Sequence, residues 1–333
     1  MAERIFISLG PDRAEFFRWA PGSSGNEAGD RLVQATAERE GEGSLVGAVY
    51  LGRVVRLERH LNAAFVELGL DKPGLLPLKK HDKISEGDAI AVVVKREARE
   101  DKGVRLGRAF PSTRDPAAGS QRTPPALLLA APTLWQNALK VLAPDRVAAI
   151  HCDRRADAER VSAWCRETAP GLTDKVRHQP RRDWELNDAA AKEEIAAALQ
   201  EEVHLPSGGH LLFEPVRTLT AVDVNSSDAG ARRGDDRGGI AETALAVNLA
   251  AAQEIPVQLA LRNLGGIIVI DFIDIENRGK REQVIETLRE AVIVDPAIDW
   301  VGNMSRLGLV ELRRRRAGPG IAAMWGTAVG GIA

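Results

Sequence analysis

Two apolar stretches in this sequence end in carboxylates, and they are the residues best placed to do chemistry. In Thr218-Leu219-Thr220-Ala221-Val222-Asp223-Val224-Asn225, side chains alternate faces, so Asp223 and Asn225 point one way while Val222 and Val224 point into a core. A carboxylate set in an apolar strand is costly unless it is paired, hydrogen-bonded or bound to a cation. The second stretch, Gly265-Gly266-Ile267-Ile268-Val269-Ile270-Asp271-Phe272-Ile273-Asp274, leads four β-prone residues straight to Asp271. Two such strands side by side place two carboxylates and an amide around one hard, oxygen-seeking ion. Mg2+ suits that set because it takes few protein ligands and keeps its waters. Asp271 and Asp274 are three apart and face opposite sides of a continuing strand, so Asp271 is read as the ligand and Asp274 as a neighbouring or structural group.

Spacing alone leaves an alternative open: Asp223 and Asn225 cap a turn after the strand, and Asp271 pairs with an arginine. A calcium loop at Asp223–Asp228 is excluded, because the glycine and the terminal glutamate fall in the wrong places. His210 stands before a strand and reads as structural. Arg313-Arg314-Arg315-Arg316 is either a phosphate-contacting face, with Arg306, or a solvated charged run.

The elements that must position these residues follow from periodicity. Residues 3–19 read as two short strands around Gly10-Pro11, and 20–44 as a Gly/Ser/Glu-rich loop. From Gly47 to Phe110 short β runs (Val49–Leu57, Ala63–Leu68, Ala89–Lys95) are punctuated by glycines 52, 69, 74, 87 and 103, the pattern of a small barrel such as an OB-fold. Residues 111–125 are a low-complexity linker. Beyond it, strands at Leu127–Ala130, Arg146–Ile150, Leu219–Val224 and Ile267–Phe272 alternate with helical patterns at Ala189–Leu199, Glu242 to about Leu261 and about Glu282 to Val292, which indicates an α/β or α+β catalytic domain. Pro256 inside the second of these helical patterns is expected to kink or split it, at about 3 kcal/mol if unrelieved.

The bulk properties narrow the classes. The chain has 333 residues, 44% apolar and 28% charged, with net charge −2, so it is a globular protein of two or three domains whose nucleic-acid footprint, if any, is local. Cys152 and Cys165 make neither a zinc quartet nor a disulfide scaffold, and the expected location is a reducing cytoplasm. No stretch of about 18 uncharged apolar residues occurs, so no membrane span is expected.

Taken in order, Leu205-Pro206-Ser207-Gly208-Gly209, Leu219 to Ser226, Glu242-Thr243-Ala244 with Asn248-Leu249, Leu264 to Asp274, and Met304 to Glu311 resemble the catalytic core of the ribonuclease E/G family. The resemblance covers roughly residues 200–318. Tyr50 to Val55, Ala63 to Gly69 and Gly74 to Leu78 resemble that family's S1-type OB-fold. It implies an α+β multidomain fold: N-terminal strands and loop (1–44), an S1-type OB-fold RNA-binding barrel (45–110), a linker (111–125), a reduced ribonuclease H-like α/β connecting region (126–200), a DNase I-like catalytic domain (201–318) and a tail (319–333). The implied activity is Mg2+-dependent hydrolysis of single-stranded, A/U-rich RNA to 5′-monophosphate and 3′-hydroxyl ends, in ribosomal RNA maturation or messenger turnover. One ion is held by Asp223 and Asp271, Mn2+ substituting, with Asn225 orienting water or phosphate. Phe65 matches the family's stacking phenylalanine, against the alternative of a barrel-core side chain. Lys102, before Gly103, matches a lysine that meets RNA, against a solvated lysine.

Three departures qualify the match. Leu75 stands where the family has a second stacking aromatic. The stretch between Phe110 and Glu201 is short, and no Arg-Thr pair that senses an RNA 5′-monophosphate is found in it. The zinc-link cysteines are missing, so no structural zinc is expected and the homo-oligomeric state is open. The rival readings are a catalytically inactive RNA-binding scaffold of the same fold and a phosphodiesterase acting on another phosphate ester.

Overall fold

The apolar alternation that marks Asp223 and Asp271 builds one of three sheets. The computed structural model describes residues 2–21, 30–39, 43–80, 82–98, 102–109, 122–184, 188–226, 237–315, 320–322 and 324–325. These form two compact units, one of residues 1–40 with 138–333 and the other of residues 41–137. Most of the 111–125 stretch, Arg316 and most of the 319–333 tail lie outside the described residues.

In the larger unit, β1 (Glu3–Leu9), β2 (Arg13–Ala20) and β3 (Arg31–Arg39) form an antiparallel meander. β1 also pairs in parallel with β10 (Val147–Cys152), and β10 with β11 (Val176–His178), giving the order β11-β10-β1-β2-β3. The helices α1 (Leu134–Lys140) and α2 (Arg155–Thr168) precede and follow β10. The strand β3 falls where composition suggested a loop. Its Leu32, Val33, Ala35 and Ala37 are buried, and the Gly/Ser-rich flank hides this short apolar run.

The second sheet of this unit has the order β12-β13-β14-β15-β17-β16. Its strands are β12 (Glu202–His204), β13 (His210–Pro215), β14 (Leu219–Asn225), β15 (Gly266–Asp271), β16 (Ile298–Val301) and β17 (Leu309–Arg314). β14 and β15 run parallel, joined by α4 (Arg237–Arg262); α3 (Asp188–Leu199) precedes the sheet and α5 (Arg278–Ala291) follows β15. Val222, Val224, Ile268, Ile270, Val310 and Leu312 share a core with Val247, Ala251, Ile255 and Leu259 of α4 and Val284, Ile285 and Leu288 of α5. Burial of such side chains contributes about 1.5–3 kcal/mol each. Pro256 does not split α4, which runs through it. The segment around it, from Ile255 to Arg262, is buried on every side, so packing offsets the lost backbone bond. By length and composition α4 is also apolar enough to cross a membrane, but here it is mostly buried core.

In the smaller unit, β4 (Val49–Glu58), β5 (Ala63–Glu67), β6 (Gly74–Pro77), β8 (Arg105–Arg108) and β7 (Ala89–Arg96) close into a five-stranded barrel, because β4 pairs with both β5 and β7. β9 (Ala126–Leu129) adds to β4 outside this ring. Val54, Ala64, Val66, Leu76, Val92, Val94 and Leu106 fill the interior. The molecule is therefore a mixed α+β protein with a barrel consistent with an OB-fold.

Candidate active site

The parallel register of β14 and β15 sets Asp223 directly beside Asp271, at the carboxyl ends of both strands. Neighbouring strands are about 4.8 Å apart, so the two carboxylates are close neighbours on one face. That face is opposite the helices: Ala221, Asp223 and Asn225 alternate with the buried Thr220, Val222 and Val224. Asp223 and Asn225 are half-buried, and Asp271 is exposed. The Asn225 Nδ2 donates to Oδ2 of Asp223 at 2.7 Å, which fixes that carboxylate. The Asp271 carboxylate has no hydrogen-bond or ion-pair partner among the described residues, although its backbone lies in the ladder.

The loops at this edge are tied down by side chains. Leu205 to Gly209 turns tightly into β13, with Gly209 at φ +93°; a Cβ there would collide with the carbonyl oxygen of Asn225. Asn248 of α4 is fully buried and clamps the segment after Asp271, its Nδ2 donating to the Ile273 carbonyl at 2.8 Å and its Oδ1 accepting from the Ile273 N–H at 3.0 Å. Ser305 Oγ accepts from the N–H groups of Leu307 and Leu309, and Leu309 is the register partner of Asp271 on β17. The positioning role of Asn248 was not read from the sequence. Its signal is an amide on the apolar face of a core helix.

Asp274 lies beyond the strand, is exposed, and accepts from Arg281 at 3.0 Å. His210 is the register partner of Asn225 and lies 3.7 Å from Glu202. The arginine run is divided by strand alternation. Arg314 points inward and is buried against Asp295 at 2.6 Å and Asn263 at 3.0 Å, while Arg313 and Arg315 face outward. Asp295 also lies near Arg18, which is buried between it and Glu3, and burial lowers the Arg18 pKa.

Phe65 and Lys102 lie in the barrel unit. Phe65 points outward between the buried Ala64 and Val66 and is not part of the barrel core. One transverse row, Arg56, Phe65, Leu75, Arg105 and Arg96, runs across β4, β5, β6, β8 and β7 in register. The Arg56 guanidinium carbon lies 4.4 Å over the Phe65 ring. Lys102 is exposed just before β8. A Cβ on Gly103 would collide with the Pro73 carbonyl, so glycine lets that segment approach the start of β6.

Chemically, the carboxylate pair offers hard oxygen donors of like charge with one amide beside them. Among the described residues no group of three or more His, Cys, Asp or Glu side chains could hold a metal. Two carboxylates with an amide beside them are hard oxygen donors of the kind that would hold a divalent cation, its remaining positions going to water.

The family model described as the ribonuclease E/G family matches residues 93–317. The chain belongs to this family. It is 28% identical to the ribonuclease E of Escherichia coli strain K12, over 88% of this chain and 35% of that protein. It is 36% identical to the ribonuclease G of the same strain, over 55% of this chain and 36% of that protein. With the ribonuclease E of Nostoc sp. the identity is 36%, over 61% of this chain and 29% of the relative. The chain thus spans about a third of the length of these relatives. The first alignment runs over 381 positions, more than the 333 residues of this chain, so it includes segments of the relative that have no counterpart here.

Proposed function

We propose that this ribonuclease E/G family member is a metal-dependent endoribonuclease that cuts single-stranded RNA to leave 5′-monophosphate and 3′-hydroxyl ends. The observation that carries the reading is the in-register pair Asp223 and Asp271, open on the sheet face away from the helices, with Asn225 bound to Asp223. When bound, Mg2+, or Mn2+ in its place, supplies a Lewis acid for a phosphate oxygen and a water of lowered pKa. Asp223 and Asp271 hold the ion. One N–H of Asn225 fixes the Asp223 carboxylate, and its other N–H is left to donate to a phosphate oxygen. Asn248 keeps Asp271 in place by holding Ile273. In the barrel, Phe65 offers a face for a base and Lys102 a charge for phosphate.

The order β11-β10-β1-β2-β3, three antiparallel strands followed by two parallel ones, supports a ribonuclease H-like reading of the first sheet. The mixed second sheet with helices on one face supports the DNase I-like reading of residues 201–318. We assign RNA binding to residues 45–110 and place the protein in the cytoplasm, where its buried free thiols Cys152 and Cys165 stay reduced. A/U-rich RNA is the proposed substrate, in ribosomal RNA maturation or messenger turnover.

The test is cleavage of a fluorescent single-stranded oligonucleotide with and without Mg2+, in 5′-hydroxyl and 5′-monophosphate forms. Asp223→Asn and Asp271→Asn are expected to abolish cleavage while RNA binding persists. Full activity in either variant overturns the assignment.

A further inference from the structure

The outward face of the carboxylate-bearing sheet carries a second feature. Reading the ladder away from Asp223 and Asp271, the next row is Ala221, Val269 and Glu311, and the one beyond is Leu219, Ile267, Arg313 and Trp300, each in register with its neighbour. Ile267 is 54% exposed and Trp300 50%, and Trp300 is the only aromatic among the exposed large hydrophobic side chains of the described residues. Single exposed apolar side chains are ordinary, but here Ile267 and Trp300 flank Arg313 in one row. The ring rests over Gly302, where a Cβ would press on it at 3.0 Å. Its cross-strand partner Arg313 binds Asp299 through Nε at 2.7 Å, which leaves the terminal amino groups of the guanidinium for a phosphate. Four residues of strand rise and two strand spacings separate Asp271 from Trp300, about 16 Å between Cα atoms.

We infer that Trp300, with Ile267 and Arg313, is a base-stacking subsite for the single strand whose scissile phosphate lies at the carboxylate pair. The inference rests on the RNA-cleaving reading above. An aromatic ring, an aliphatic neighbour and a guanidinium in one row are the elements on which single strands stack without sequence readout. The row between is small and shallow at Ala221 and Val269, giving the strand a floor. A second protein copy fits less well, because stable interfaces bury about 800 Å² per partner, whereas this apolar strip is one side chain wide and bordered by Asp299, Glu311, Arg313 and Arg315.

The test compares single-stranded oligonucleotides of about 3 and about 15 nucleotides, one too short and one long enough to reach Trp300. The ratio of kcat/KM for the long over the short substrate is expected to fall about tenfold in Trp300→Ala and to recover in Trp300→Phe. In a second arm, the long oligonucleotide is expected to quench tryptophan emission in the unsubstituted chain, and this quenching should be lost in Trp300→Phe. An unchanged ratio in a folded Trp300→Ala variant, or undiminished quenching in Trp300→Phe, overturns the inference. So does a shift from dimer to monomer in Trp300→Ala, which assigns the strip to a second copy. A chain that cuts neither oligonucleotide sinks the catalytic reading instead, and the quenching arm still decides this one.

Discussion

Replacing Asp271 by asparagine separates a metal site from a structural carboxylate without any activity measurement. In register on adjacent parallel strands, Asp223 and Asp271 set two negative charges about 5 Å apart on a partly exposed face. At the effective dielectric of a protein surface, between about 20 and that of water, such a pair repels by roughly 1–3 kcal/mol. Asn225 relieves only the Asp223 side. In chelator-treated protein, Asp271→Asn is therefore expected to leave stability unchanged or raise it by about 1 kcal/mol, read as a rise of a few degrees in Tm. Added Mg2+ should act on only one of the two proteins. At ten times its Kd it stabilises the unsubstituted chain by about 1.4 kcal/mol, and it should do almost nothing for the variant. Paired thermal melts, with chelator and with Mg2+, give all four values. A loss of more than about 1 kcal/mol in the chelated variant would refute the reasoning, because a carboxylate that caps a turn or pairs with an arginine stabilises the fold without metal.

Three further outcomes are expected. Asn248→Leu removes both partners of the half-buried Ile273 backbone groups and should cost about 1–3 kcal/mol in urea denaturation, with a lower kcat in whatever folds. Phe65→Ala should raise KM about tenfold with a smaller change in kcat, measured by steady-state cleavage; an unchanged KM would remove Phe65 from the RNA interface. Burial pushes the Cys152 thiol up to about 12 and Cys165 to about 11, so both stay neutral and unreactive at pH 8. An aromatic disulfide reagent should therefore titrate no thiol in native protein and two in urea.

The carboxylate site was the most legible part of the chain, because period-two alternation is a local property. It placed Asp223 and Asn225 on one face, and the ladder has them there; the strand ends at Asp271, so Asp274 is set apart by the strand's end and its pairing with Arg281, not by alternation. The barrel was legible for a related reason, since its short runs are separated by glycines. What was not legible depends on distant partners. β3 lay within a polar, glycine-rich stretch and is a strand because β2 and α4 bury it; Arg31 also reaches Glu254 at 2.6 Å. Asn248 looked like one polar residue in a helix, since nothing in its neighbourhood announces Ile273. In the arginine run, only the β17 register shows that Arg314 is interior while its neighbours are not.

The pairing of β1 with β10 has a consequence for how the chain is made. Well over a hundred residues separate the two strands, and the barrel unit lies within that interval. At about 5–20 residues per second, a ribosome needs roughly 7 to 27 s to deliver β10 after β1 has emerged. Through that interval the nascent meander β1-β2-β3 must hold an unpaired edge that carries Ile5 and Ile7, the kind of strand that recruits other chains. The barrel, whose pairings close within residues 49–129, can fold while the edge waits. Yield in the cell should therefore depend on translation speed and chaperone supply more than on the equilibrium stability of the finished protein.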